Sequence, residues 1–98
     1  MIFMYFYDSS IDDCSMNNNT LKIDNFFKNK YDLNKKYTKI DISKHKQATK
    51  NYNLLYVPCF NVYNKNKTKE TTISLLENKF MNEIEKYYNI VWITIIYQ

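Results

Sequence analysis

The chain has 98 residues, 45% of them hydrophobic and 24% charged, with a net charge of +4. That length supports one domain around a single core, and the composition excludes disordered, collagen-like and disulfide-scaffold classes. All fourteen basic residues are lysines scattered among Asp and Glu, and arginine, the usual reader of guanine edges and phosphate forks, is absent. The charge therefore reads as a solvated surface, and no nucleic-acid partner is expected.

Residues 2–7, IFMYFY, form a short, continuously apolar run that predicts a central strand covered on both sides. This run stops at Asp8, too short for a signal-peptide core and without a basic leader, so a cytoplasmic location is expected. DSSIDDC follows as a polar turn with several possible helix caps. From Ser15 to about Tyr31 the residues Met16, Thr20, Ile23, Phe27 and Tyr31 recur at helical spacing and mark one apolar stripe. KYTKIDI, 36–42, reads as a second strand. SKHKQATKNYN, 43–53, reads as a short helix with Ser43 as its cap. CFNVY, 59–63, and ETTISLL, 70–76, read as two more strands joined by a hairpin at NKNKTK, although the chain has no glycine.

Phe80, Met81, Ile84, Tyr87 and Tyr88 mark a last amphipathic helix, and residues 90–98 an apolar C-terminal tail outside a domain of residues 1–89. The tail falls far below the ~20 residues a bilayer span needs, so no membrane association is expected. The order β-α-β-α-β-β-α predicts an α/β domain with a mixed four-stranded sheet flanked by helices. Helices between the first three strands imply a parallel start, and the final hairpin an antiparallel edge.

Chemistry-bearing residues are few. Cys14 and Cys59 lack metal-ligand spacing. Asp12, Asp13, Cys14 and His45 match no ligand motif, so no metal and no cofactor are expected. There is no Gly-rich phosphate loop and no H-E-x-x-H. Cys59 reads as a small buried hydrophobe, and His45 as a surface residue. The only proline, Pro58, stands just before the third strand, where an ordinary trans proline would open an edge strand.

The element order together with the stretch KIDISKHKQATKNYNLLYVPCFNVYNKNK resembles the thioredoxin-like family over residues 2–88. The resemblance implies a thioredoxin-like fold, a cis bond at Val57–Pro58, and a substrate groove shaped by Val57 and Pro58. In the family a Cys-x-x-Cys pair opens the helix after the first strand. Here FYDSSIDDCSM occupies that place, with Cys14 in the resolving position and Ile11 where the attacking cysteine would stand. Tyr5 stands near the position of the carboxylate that the family often buries.

The implied function is thiol/disulfide redox homeostasis through a degenerate one-cysteine site with weak or no dithiol exchange. Its partners would be protein or peptide thiols and disulfides, and glutathione. The alternative is a non-catalytic module that binds extended peptide or protein partners along the Pro58 groove. A helix N-terminus favours a Cys14 thiolate by about 0.3–1 kcal/mol. Asp12 and Asp13, at about 6 Å, each oppose it by about 0.7 kcal/mol even in a water-like dielectric. Cys14 is therefore expected to react sluggishly.

Overall fold

The computed structural model describes residues 1–76 and 78–97, with side chains for 1–76 and 78–89. Seven elements follow in chain order: β1 (Ile2–Tyr7), α1 (Cys14–Lys28), β2 (Lys36–Asp41), α2 (Ala48–Asn51), β3 (Cys59–Tyr63), β4 (Lys69–Ser74) and α3 (Phe80–Tyr97). Their strands form one sheet in the order β2-β1-β3-β4. The apolar run at 2–7 is thus an interior strand, as its four consecutive buried residues require.

β1 pairs with β2 in parallel, Ile2 opposite Lys36 and Tyr7 opposite Asp41. β3 runs antiparallel to β1, so the parallel start covers two strands rather than three. Chain length explains the difference. A crossover back along a six-residue strand must cover about 20 Å, which takes a helix of about 13 residues. α2 has four residues, so the chain stays at one end of the sheet and enters β3 in the opposite sense.

Alternation along the strands divides the core into two layers. Phe3 and Tyr5 of β1, Phe60 and Val62 of β3 and Ile73 of β4 pack against Ile23 and Phe27 of α1 and Phe80 and Ile84 of α3. Full burial of each such aromatic or aliphatic side chain contributes about 1.5–3 kcal/mol. On the other face Met4, Phe6, Cys59 and Tyr63 are covered by the thinner segment carrying Ile42, Tyr52 and Leu54.

Several element ends differ from the sequence reading. α1 stops at Lys28, and Tyr31, expected on its apolar stripe, is 91% exposed. Asp32 organises a turn there: its carboxylate accepts from Asn34 N at 2.8 Å and its carbonyl from Lys35 N at 3.1 Å. α2 begins at Ala48, not near Ser43, because Ser43, Lys44 and His45 turn onto Asp41 instead. Asn53 ends the segment at φ 52°, a left-handed conformation that Asn tolerates better than most residues.

The hairpin expected between β3 and β4 forms around Asn64, whose Oδ1 accepts from Asn66 N and Thr68 N at 2.9 and 3.0 Å. Lys67 takes the left-handed position at φ 65°. A register shift after Val62 places Lys69 opposite Tyr63, so β4 starts one residue earlier than expected and ends at Ser74. The stretch set apart as an apolar tail at 90–98 continues the α3 backbone as far as Tyr97. Its side chains and Gln98 lie outside the described residues.

Candidate functional site

Three segments meet at one end of the sheet. β1 ends at Tyr7 and gives way to the loop 8–13. β2 ends at Asp41, directly opposite Tyr7. β3 begins at Cys59, opposite Phe6, so Val57 and Pro58 approach the sheet at this same end.

The loop after β1 is held by its own polar residues. Asp8 accepts from Ser10 N at 2.9 Å and from Ser10 Oγ at 2.5 Å, and Ile11 N donates back to the Asp8 carbonyl. Asp13 then caps α1 from an extended conformation, its carboxylate accepting from Ser15 N at 2.8 Å and Met16 N at 3.2 Å. Cys14 is consequently the first helical residue, exposed, with its thiol free. Ile11 is 49% exposed, three residues ahead of it. Neither Asp12 nor Asp13 is buried.

Asp41 ties the first loop to the second. It is 6% exposed and accepts at Oδ1 from Ser9 N and Ser43 N, each at 3.1 Å, and from Ser43 Oγ at 2.7 Å. Ser9 Oγ donates to the other carboxylate oxygen. These donors, Ser9 Oγ foremost and Ser43 next, hold the carboxyl well below the usual range, so Asp41 is a fixed anion. The sequence reading treated this residue only as the end of a strand; its signal was a lone Asp closing a strand with serines in both following loops.

The third segment carries the proline. The Val57–Pro58 bond is cis, and both residues are half-buried. Ahead of them Leu55 is 94% and Tyr56 46% exposed. The backbone N–H groups of Leu55, Tyr56 and Val57 find no hydrogen-bond partner among the described residues. Apolar side chains in solvent thus stand beside unpaired amides in this stretch.

Cys59, next to the proline, is 2% exposed. Burial pushes its thiol up to about 11, so it stays protonated at neutral pH and is a poor nucleophile. Cys14 and Cys59 are both free thiols. His45 is exposed, and among the described residues no group of three His, Cys, Asp or Glu side chains could hold a metal ion.

Under α1, Tyr5 is fully buried and its hydroxyl lies 2.7 Å from Thr20 Oγ1. Thr20 gives its own proton to the Met16 carbonyl at 2.9 Å, so Tyr5 is the donor of that pair. Burial raises the Tyr5 phenol above its ordinary value, and it remains a neutral group behind the helix that begins at Cys14.

A second polar feature lies on the thinly covered face. Asn61, in the middle of β3, is 1% exposed. Its Nδ2 donates to Tyr63 Oη at 2.9 Å, and its Oδ1 accepts from Thr72 Oγ1 of β4 at 2.8 Å. An Asn inside the apolar stretch CFNVY was the available sequence signal for this pair.

No protein-family model matches the chain, and no curated protein matches it. A solved structure described as that of a malarial protein is similar over 88% of this chain and 93% of its own, with a TM-score of 0.62 and 16% sequence identity. At that identity the likeness establishes the fold alone. The protein is a small α/β domain with a four-stranded mixed sheet and three helices. Among the described residues no helix is long and apolar enough to cross a membrane.

Proposed function

We propose that this chain is a thioredoxin-fold protein of thiol/disulfide homeostasis whose exchange site is reduced to one cysteine. The observation that carries the reading is the exposed, free Cys14 at the first position of α1, at the sheet end where Val57 and Pro58 enter β3. The Cys14 thiolate attacks a disulfide of a protein, a peptide or oxidised glutathione. A bond forms from Sγ to one sulfur, the original S–S bond breaks, and the second sulfur leaves as a thiolate. Cys59 is too buried to resolve the mixed disulfide. An external thiol such as glutathione must attack it, restoring Cys14 and carrying away the bound half as a new disulfide. Without that thiol the chemistry stops after one turnover.

Exchange is also slow because the attacker's place is taken by Ile11 and the neighbours of Cys14 are the carboxylates Asp12 and Asp13. A second reading, binding of extended polypeptide without chemistry, is favoured by the unpaired backbone of 55–57 and the exposed Leu55 and Tyr56.

An insulin-type disulfide assay with and without glutathione separates the two. The redox reading expects slow reduction that depends on glutathione and disappears in Cys14→Ser. Equal rates in Cys14→Ser would overturn it. No reduction, with an unstructured peptide still perturbing the amides of residues 55–57, would establish the binding reading.

A further inference from the structure

The sheet face beneath α2 is covered only in part. Tyr52 packs on Phe6 at a ring separation of 5.1 Å and on Tyr63 at 6.3 Å, with Leu54 beside them. The β3–β4 half of this face is left beside the segment 53–56, and between them lies a cleft of about 280 Å³. At about 30 Å³ per water this is space for roughly nine waters, just under the ~300 Å³ at which the usual range of ligand sites begins.

Its lining is divided by chemistry. Asn53 and the apolar Leu54, Leu55 and Tyr56 line one side, with Leu55, 94% exposed, at its rim. Cys59, Asn61 and Thr72 come from the two strands, the first two almost fully buried. Lys69 is the only charged residue among the described residues of the lining. It makes no ion pair among the described residues, and its neighbour Glu70 is taken by the Asn64 amide at 3.0 Å.

The buried amide adds a second, independent indication. Of its two Nδ2 protons, one goes to Tyr63 Oη. The other has no partner among the described residues, although Asn61 is 1% exposed. Its Oδ1 is already occupied by the Thr72 hydroxyl. The amide therefore has one further proton to offer a ligand acceptor, and the exposed Lys69 ammonium has no ion-pair partner among the described residues. The protonated Cys59 thiol offers only small, soft apolar surface.

We propose that this cleft binds a small organic carboxylate with an apolar, benzoate- to phenylacetate-sized body. The carboxylate meets Lys69 and the free Asn61 amide proton, and the apolar body lies on Leu54, Leu55 and Tyr56. This site is separate from Cys14. Because Leu55 and Tyr56 lead directly into Val57–Pro58, occupancy bears on the segment that borders the exchange site.

The test is a titration of the uniformly 15N-labelled full chain with phenylacetate, and in parallel with 2-phenylethanol, its neutral counterpart of similar shape. The amides of residues 53–56 and 69–72 should shift saturably with phenylacetate and at least tenfold more weakly with the alcohol. Lys69→Gln, at an exposed position, should weaken phenylacetate about tenfold and leave the alcohol unchanged. Leu55→Ser should weaken both ligands. Absence of saturable shifts up to tens of millimolar, or equal affinity for acid and alcohol, would overturn the proposal. So would a Lys69→Gln variant that binds phenylacetate as well as the parent. None of these readouts uses Cys14, so failure here leaves the exchange reading standing, and failure there leaves this one.

Discussion

Replacing Asn61 by Leu keeps the branched shape and heavy-atom count of the side chain, at a larger volume, and removes the polar link between β3 and β4. Two hydrogen bonds disappear, to Tyr63 Oη at 2.9 Å and from Thr72 Oγ1 at 2.8 Å. Each is worth about 0.5–1.5 kcal/mol net, and a buried hydroxyl left without a partner costs about 1–3 kcal/mol. Tyr63 is 9% exposed and carries that penalty, whereas Thr72 borders the cleft and can turn to water. Burying the Leu methyl groups returns on the order of 1 kcal/mol. The net destabilisation is about 3 kcal/mol, which lowers the midpoint of a domain this size by roughly 12–24 °C. Thermal unfolding followed by far-UV circular dichroism reads it directly. Adding Tyr63→Phe removes the stranded hydroxyl, so the double variant should recover about 1 kcal/mol relative to Asn61→Leu. A single variant as stable as the parent, or strictly additive effects of the two changes, would refute the reasoning.

Asp41→Asn should destabilise the protein at neutral pH, since an amide cannot accept all four donors of Ser9 and Ser43. Because the folded carboxyl sits below its unfolded value of about 3.9, its stabilising effect is complete above that pH and is lost as the pH falls below it. The parent should therefore lose stability below about pH 4 more steeply than Asp41→Asn, as urea midpoints across the acid range would show. A native-state thiol count should find one accessible cysteine at pH 7, Cys14, labelled no faster than a free cysteine, and a second only after denaturation, since burial holds the Cys59 thiol up at about 11. Mass mapping that finds Cys59 labelled first would reverse that assignment.

The strands were legible because their signals are local. IFMYFY and CFNVY are short, apolar and flanked by polar turns, and the structure places β1 and β3 at those residues. Met16, Ile23 and Phe27 marked the buried face of α1 for the same reason. What the sequence did not show depends on which of several possible partners a polar side chain takes, near or far in the chain. Nothing at Ser43 announces that its hydroxyl serves Asp41 rather than a helix start, and that diversion shortens α2 to four residues. The short α2 in turn reverses the direction expected of β3 and exposes the cleft. The absence of glycine concealed where the chain takes positive φ, and Asn53 and Lys67 fill that role. Of the candidate site, Cys14, Val57 and Pro58 were identified in sequence. The Asn61–Thr72 pair, eleven positions apart, and the Ser9 half of the Asp41 clamp, thirty-two apart, were not, and the Ser43 half competes with a helix cap that the same serine could form.

The reading of the 8–14 loop as a reduced exchange centre makes one demand that can be measured directly. On the proposed reading Ile11 stands in the attacker's place, three residues before Cys14, at the turn that leads into α1. Ile11→Cys should therefore restore the missing thiol within disulfide range of Cys14. Under mild oxidant, intact mass should show the loss of two hydrogens, and peptide mapping should place the bridge between positions 11 and 14. The reduced variant should turn over an insulin-type disulfide faster than the parent, though only partially, with Asp12 and Asp13 still beside the new thiol. An Ile11→Cys protein that forms no bridge and gains no reductase activity would contradict the account.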